Sequence, residues 1–163
     1  MIKLDRYDIA ILRILARDGR ITKSRLAEEV NLSLSPAWER VRRLEESGVI
    51  RGYRADIDWV GAFNGSRIIV EVTLARHTAH DMSRFEARVR AAREIVQCHA
   101  TGGGVDYVMH VIARDIDRYQ RFIDALLAED LGIERYFTYV VTKIVKDGST
   151  SGLDAPDVLP SDA

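Results

Sequence analysis

The 163-residue sequence contains a single cysteine, Cys98, so no disulfide can close within the chain, and a reducing compartment suits it. No apolar run approaches the length needed to cross a bilayer, and Met1-Ile-Lys-Leu-Asp5 lacks the apolar core of a secretory signal. The expectation is a cytoplasmic protein with no membrane partner. Catalytic machinery is missing too: there is no Ser/His/Asp set, no P-loop, and no G-x-G-x-x-G opening a helix after a strand. His77, His80 and the pair Cys98-His99 form no four-residue set at zinc spacing, so no metal site, catalytic residue or cofactor is expected.

The chain does have the composition of a globular protein, 47% hydrophobic and 30% charged, and length enough for one ordinary domain or two small ones. A net charge of −1 speaks against a nucleic-acid binder, but the charge is unevenly placed. Residues 1–55 carry 12 Lys+Arg against 8 Asp+Glu, giving +4, while residues 56–163 carry 12 against 17, giving −5. A basic face presented on its own is screened from an acidic remainder beyond about 8–10 Å at physiological salt.

The basic end holds the most telling stretch, Asn31 to Glu45. Ser35 is a good N-cap and Pro36 suits the first helical position, which predicts a helix over Ser35 to Ser47. Ala37, Val41 and Leu44 fall at i, i+4 and i+7 and pack inward, leaving Ser35, Glu39, Arg42 and Arg43 outward with Trp38 and Arg40 at the flanks. Three arginines within four residues suit phosphates and guanine edges. They equally suit a solvated face held by the i, i+4 pairs Glu39–Arg43 and Arg42–Glu46, and Trp38 suits packing as well as DNA contact.

Upstream, Asp5 with Asp8 three residues on forms a capping box, and Leu4 against Ile9 forms a hydrophobic staple. Ile11, Leu12 and Leu15 continue the stripe, and Asp18-Gly19 closes this first helix. A second helix runs from a Thr22 cap through Leu26, Ala27 and Val30. The turn of about 3–4 residues before the third helix makes a helix-turn-helix. Gly48 ends that helix, and Gly48 to Arg54 is expected to extend as a strand-like wing.

From Arg67 the period becomes two. Ile68, Val70, Val72 and Leu74 share one strand face, Met82, Phe85 and Val89 mark a helix, and Ile95 to Thr101 and Tyr107 to Ala113 are strands around Gly102-Gly103-Gly104. Tyr119, Phe122, Ile123, Leu126 and Leu127 stripe a second helix, and Tyr136 to Val145 is a last β-rich run. The order βαββαβ is the ferredoxin-like pattern. The expected organisation is α+β: a winged helix-turn-helix over 1–58, a linker over 59–66, a ferredoxin-like domain over 67–146, and a disordered tail over 147–163.

These segments, in their order and spacing, resemble the Lrp/AsnC family of feast/famine regulators. The likeness is carried by Leu4-Asp-Arg-Tyr-Asp8 with Ile11-Leu12, Asp18-Gly-Arg20, Leu32-Ser33, Arg40-Val-Arg-Arg-Leu-Glu45, Gly48-Val-Ile-Arg-Gly-Tyr53, Cys98-His99, Gly103 with Asp106-Tyr107, and Tyr139-Val-Val141. The resemblance implies a transcription regulator that binds double-stranded DNA, and a RAM- or ACT-like C-terminal domain that dimerises, assembles into tetramers or octamers, and binds an amino acid or related metabolite between subunits.

On that basis the DNA-contacting set is Ser33, Ser35, Trp38, Glu39, Arg40, Arg42 and Arg43. The effector set is Thr101, Gly102, Gly103, Gly104 and Asp106 with Tyr139 and Val140 nearby, glycine N–H groups holding a carboxylate and Asp106 an ammonium. Two positions depart from the family pattern: Gly104 stands where Asp is common, and Trp38 is bulkier than usual. Two other readings share the fold, an architectural DNA-binding protein without an effector and an enzyme resembling the siroheme decarboxylases; the arginine cluster argues against the second.

Overall fold

In the computed structural model, which describes residues 3–146, the expected caps set where the first two helices begin. The Asp5 carboxylate accepts from the amides of Tyr7 (2.9 Å) and Asp8 (3.0 Å), and Asp8 Oδ2 accepts from the amide of Asp5 (3.0 Å), which starts α1 at Arg6–Arg17. Thr22 Oγ1 accepts from the Arg25 amide and opens α2, Lys23–Glu29. The chain reverses through Asn31 in a left-handed conformation (φ 55°) into α3, Leu34–Glu46.

The third helix thus begins one residue ahead of Ser35, with Ser33 at the N-cap position and no side-chain cap bond. The reason lies in the ladder: the Ala37 amide already donates to the Ser33 carbonyl (3.2 Å). Pro36 therefore falls at the third helical position, whose N–H would also lack an intrahelical partner. The proline locates the first turn without fixing the residue that opens it.

Ile11, Leu26, Ala27, Val30, Ala37, Val41 and Leu44 form the core of this three-helix unit. Gly48 ends α3 at φ 74°, which only glycine adopts cheaply, and the Ile50 amide returns to the Leu44 carbonyl (3.0 Å). Over the expected wing, Gly48 to Arg54, the described residues form no strand ladder, and residues 51–58 run exposed. Tyr53 moors this segment to α3 through its hydroxyl, which donates to Glu45 Oε1 (2.9 Å).

The described residues divide into two compact units, one built from residues up to Asp56 with Val145 and Lys146, the other from Ile57–Ile144. Where a linker was expected, Asp58 caps a short helix α4, Trp59–Phe63, by accepting from the Gly61 amide (2.8 Å). The expected tail, 147–163, lies outside the described residues.

The second unit follows the βαββαβ order: β1 Ser66–Leu74, α5 Ala79–Ala91, β2 Ile95–Ala100, β3 Tyr107–Ala113, α6 Ile116–Ala128, β4 Ile133–Val140. The four strands pair antiparallel in the order β2-β3-β1-β4. Strand β4 starts and ends earlier than the expected Tyr136 to Val145, since its ladder partner β1 runs out: Val141 N donates to Arg67 O and pairing stops.

Alternation along β1 buries Ile68, Val70, Val72 and Leu74, which meet Tyr107, Met109 and Val111 of β3 and Phe85, Val89, Ile123 and Leu126 of α5 and α6 in one core. Both helices cover that face. On the opposite face Ile69, Val108 and Ile112 are only half-buried, and Phe137 and Tyr139 are exposed.

Helix α5 carries its own electrostatic anchor. Thr78 Oγ1 accepts from the Asp81 amide (3.2 Å) and its hydroxyl donates to Asp81 Oδ2 (2.7 Å), with Arg76 Nη2 at 3.1 Å from Oδ1. The Thr78 hydrogen bond, aided by Arg76 and opposed by burial, holds the Asp81 carboxyl below its ordinary range. A depressed carboxyl contributes stability that is present above its ordinary value and lost as pH falls through the folded one. Thr78→Ala should cost about 1 kcal/mol at neutral pH through the lost cap. In urea titrations at stepped pH, the gap between wild type and variant should narrow as the solution is acidified through the aspartate range.

Candidate nucleic-acid interface and effector loop

Burial of Ala37, Val41 and Leu44 turns the remaining face of α3 outward. Ser33, Ser35, Glu39 and Arg42 are exposed on it. Arg42 Nε lies 3.5 Å from Glu46 Oε1, with the two side chains 67% and 69% exposed. A pair so open to water contributes little and gives way readily to a better anion. Trp38 is 36% exposed and sits under the Lys23 ammonium, 3.5 Å from the ring centroid. Its indole is thereby oriented by α2.

Arg40 and Arg43 are held differently. Arg40 Nη1 donates to Asp5 Oδ2 (2.7 Å) and Asp8 Oδ1 (2.9 Å), and Arg43 Nη2 donates to Asp8 Oδ2 (2.6 Å). The Asp8 side chain is 1% exposed. The acceptor of Arg43 is thus Asp8 of α1 rather than the Glu39 expected from i, i+4 spacing, whereas the Arg42–Glu46 pair is present. Burial pushes the Asp5 carboxyl up, but the Asp8 amide and Arg40 together outweigh it and hold the group below its ordinary range. The same hydrogen bond to Asp5 raises Arg40.

The capping box was visible in the sequence as a local device. That its second carboxylate also clamps two arginines more than 30 residues away was not, since only the packing of α1 against α3 brings them together.

In the second unit, the β2–β3 loop is closed by Thr101 N to Asp106 O (2.8 Å) and Thr101 Oγ1 to Val105 O (2.5 Å). Gly102, Gly103 and Gly104 between them are exposed, and a Cβ at any of the three would meet nothing within 4 Å. Asp106, expected to be available to a ligand, is engaged inside the fold. Its Oδ2 accepts from the Leu74 amide (2.7 Å), and His77 Nε2 lies 2.9 and 3.0 Å from its two oxygens.

Tyr139 and Val140 are not near this loop within one chain. In β1 the residue opposite Tyr107 is Val72, whereas Tyr139 and Val140 lie opposite Ile69 and Ile68. At about 3.3 Å per residue they are displaced roughly 10–13 Å along the sheet, and β1 stands between β3 and β4. Tyr139 lies on the sheet face away from the helices, where its hydroxyl donates to Glu71 Oε2 (3.1 Å). Pairing with Ile68 instead places Val140 on the helix-bearing side.

Among the described residues no group of three or more His, Cys, Asp and Glu is placed to hold a metal ion, and no helix is long and apolar enough to cross a membrane.

The sequence matches two family models, "Lrp/AsnC ligand binding domain" over residues 67–151 and "Winged helix-turn-helix DNA-binding" over residues 4–51. It is 56% identical over 149 residues to the transcriptional regulatory protein DoeX of Halomonas elongata, covering 91% of this chain and 94% of that one. It is 36% identical over 146 residues to the leucine-responsive regulatory protein of Escherichia coli, covering 90% and 89%. Among solved structures it is similar to a transcriptional regulator from Neisseria meningitidis in complex with L-Met, with a TM-score of 0.86, 30% identity, and 93% and 98% of the two chains covered. An AsnC family transcriptional regulator from Agrobacterium tumefaciens gives a TM-score of 0.82 at 32% identity, with 88% and 94% covered.

The buried Asp8 carboxylate makes a direct prediction. Asp8→Asn removes the charge from a group with hydrogen bonds to two arginines and one amide, and it should destabilise the helical unit by about 1–3 kcal/mol. Chemical denaturation followed by far-ultraviolet circular dichroism is the measurement. A midpoint equal to wild type would mean that the carboxylate does not organise α1 and α3.

Proposed function

The chain belongs to the Lrp/AsnC family of transcriptional regulators, with a helix-turn-helix DNA-binding domain followed by an Lrp/AsnC ligand-binding domain, and from that premise we propose how its residues divide the work. Sequence-specific contact with duplex DNA is made from the outer face of α3 by Ser33, Ser35, Trp38, Glu39, Arg40, Arg42 and Arg43. The observation that carries this reading is the difference between the arginines: Arg40 and Arg43 are fastened to Asp5 and Asp8, and Arg42 is held only by a solvated pair. Arg43 reaches DNA with the guanidinium N–H groups its bond to Asp8 leaves over, in a fixed orientation that suits a base edge. Arg42, which swings, suits a phosphate.

The second unit senses an amino acid or a close relative, as the L-Met complex of the Neisseria meningitidis regulator suggests. It also forms the homo-oligomer. A sheet with helices on one face only leaves its other face to be covered, and Ile69, Val108, Ile112, Phe137 and Tyr139 supply the apolar surface for a second copy. A small DNA-binding unit also needs two-fold pairing to read two half-sites. In further assembly, the loop Thr101 to Asp106 of one copy meets Tyr139 and Val140 of another, since one chain keeps them apart.

Two outcomes follow. Arg42→Ala should weaken binding to a duplex obtained by selection from random sequence and lower the slope of log affinity against log salt by about 1, with little change in discrimination, as fluorescence anisotropy at several salt concentrations will show. An unchanged slope would remove Arg42 from the phosphate contacts. Phe137→Asp places a charge in the middle of the open sheet face and should convert the dimer to a monomer by light scattering, with the circular dichroism spectrum retained. A variant that still runs as a dimer would assign pairing to another surface.

A further inference from the structure

The exposed surface of α3 is polar except along one stripe. Leu34 is 50% exposed and Trp38 is 36% exposed, although leucine and tryptophan are among the most apolar side chains. They are the first and fifth residues of the helix, one turn apart, so their side chains share a flank of its N-terminal half. The core of the helical unit is complete without them: neither belongs to the cluster around Ala37, Val41 and Leu44 nor to the apolar residues packed against it. Apolar surface left in water beside Ser35 and Glu39 is unfavourable until an apolar group covers it.

Two features say what kind of partner covers it. The Lys23 ammonium lies 3.5 Å from the indole centroid and orients the ring, so Trp38 loses little rotamer freedom on contact. That ammonium is engaged with a ring rather than a carboxylate, so the contact leaves its charge unneutralised beside the stripe. A partner that is anionic at its rim and apolar within fits this arrangement better than another protein surface. Duplex DNA is such a partner, since thymine methyl groups stand in the major groove between the phosphate rows. The N-terminal residues of the second helix of a helix-turn-helix are also those that reach base edges, and the stripe is continuous with the polar face assigned to DNA.

We propose that Leu34 and Trp38 form a methyl reader: they pack against the 5-methyl group of a pyrimidine, thymine in unmodified DNA, at one position of each half-site. A T·A pair is thereby preferred to C·G at that position without a hydrogen bond. The proposal rests on the reading of α3 as the DNA-contacting helix and adds the chemical group that its apolar stripe recognises. Because the methyl is what is read, 5-methylcytosine presents it equally, and methylation of a cytosine placed there strengthens binding.

The test is fluorescence anisotropy on the full chain with a duplex obtained by selection, replacing one thymine at a time by deoxyuridine. That change removes a methyl and leaves every hydrogen-bonding group of the base in place. The expected result is one thymine per half-site whose replacement weakens binding roughly fourfold, the effect of burying one methylene-sized group. At that position Trp38→Ala and Leu34→Ala should bind the thymine and deoxyuridine duplexes alike. A C·G pair there should weaken wild-type binding, and its 5-methylcytosine form should recover part of the loss in wild type but in neither variant. Leu34 is half exposed, so Leu34→Ala carries the test should Trp38→Ala lose its circular dichroism spectrum. If wild type binds the duplex, Arg42→Ala weakens it, and no thymine responds to deoxyuridine, the methyl reader is overturned and α3 remains the DNA-contacting helix. A deoxyuridine penalty that persists unchanged in Leu34→Ala and Trp38→Ala gives the methyl contact to other residues and also overturns it. A fall in oligomer mass in Leu34→Ala, with the deoxyuridine response unaltered, gives the stripe to a protein partner instead. Indifference of DNA affinity to Arg42→Ala, Leu34→Ala and Trp38→Ala together overturns the reading of α3 itself.

Discussion

The Asp8 carboxylate is buried between α1 and α3, and a buried ion is tolerated only when its oxygens are fully used. Two guanidinium groups and the Asp5 amide satisfy that demand, and in doing so they fix the rotation of α3 about its own axis relative to α1. The apolar contacts of Ala37, Val41 and Leu44 alone would tolerate small rotations, because hydrophobic burial is not directional. Hydrogen bonds from Arg40 and Arg43 to one carboxylate are directional, so the outward residues of α3 project along defined lines. In the proposed reading, the base edges within reach of α3 are therefore decided partly by a buried side chain of α1.

A comparable constraint shapes the second unit at the far end of β1. Asp106 accepts from the Leu74 amide just past the last β1–β3 pair, Val72 with Tyr107. A side-chain oxygen there satisfies a backbone donor that lies beyond the end of that ladder. The carboxylate thus belongs first to the sheet, and the loop it terminates is tied down at both ends, by Thr101 and by Asp106, while the three glycines between remain open.

What could be read from the sequence was what depends on near neighbours. The Asp5–Asp8 box, the Thr22 cap and the alternation of Ile68, Val70, Val72 and Leu74 act within a few residues, and helix ends and strand faces follow from them. The start of α3 was misplaced because Ser33 and Ser35 are equally good caps on composition, and the backbone ladder reaches back to the Ser33 carbonyl. The helix α4 was hidden in a segment too short for its periodicity to show. Strand β4 ended early because its ladder ends with β1, a property of the partner strand. The Asp8 clamp, the His77–Asp106 contact and the Glu86–Tyr107 contact join residues 21 to 35 apart, and no spacing rule reaches so far. Tyr139 and Val140 were grouped with the glycine loop on resemblance alone, and register within one chain separates them.

A ligand changes DNA binding only to the extent that it binds one state of the assembly better than another, each tenfold difference being worth about 1.4 kcal/mol. Strand β3 offers a short mechanical route for such a difference. Tyr107 points to the helix side and contacts Glu86, while the next residue, Val108, lies on the open face beside Glu71 of β1, with Phe137 of β4 beyond it. Because successive residues of a strand project to opposite faces on a backbone that does not stretch, a displacement of Tyr107 moves Val108 with it. Any copy packed on that face must then repack, and two discrete packings are what a switch requires. The helix-bearing face and the open face of the sheet are therefore joined at β3 through the consecutive residues Tyr107 and Val108.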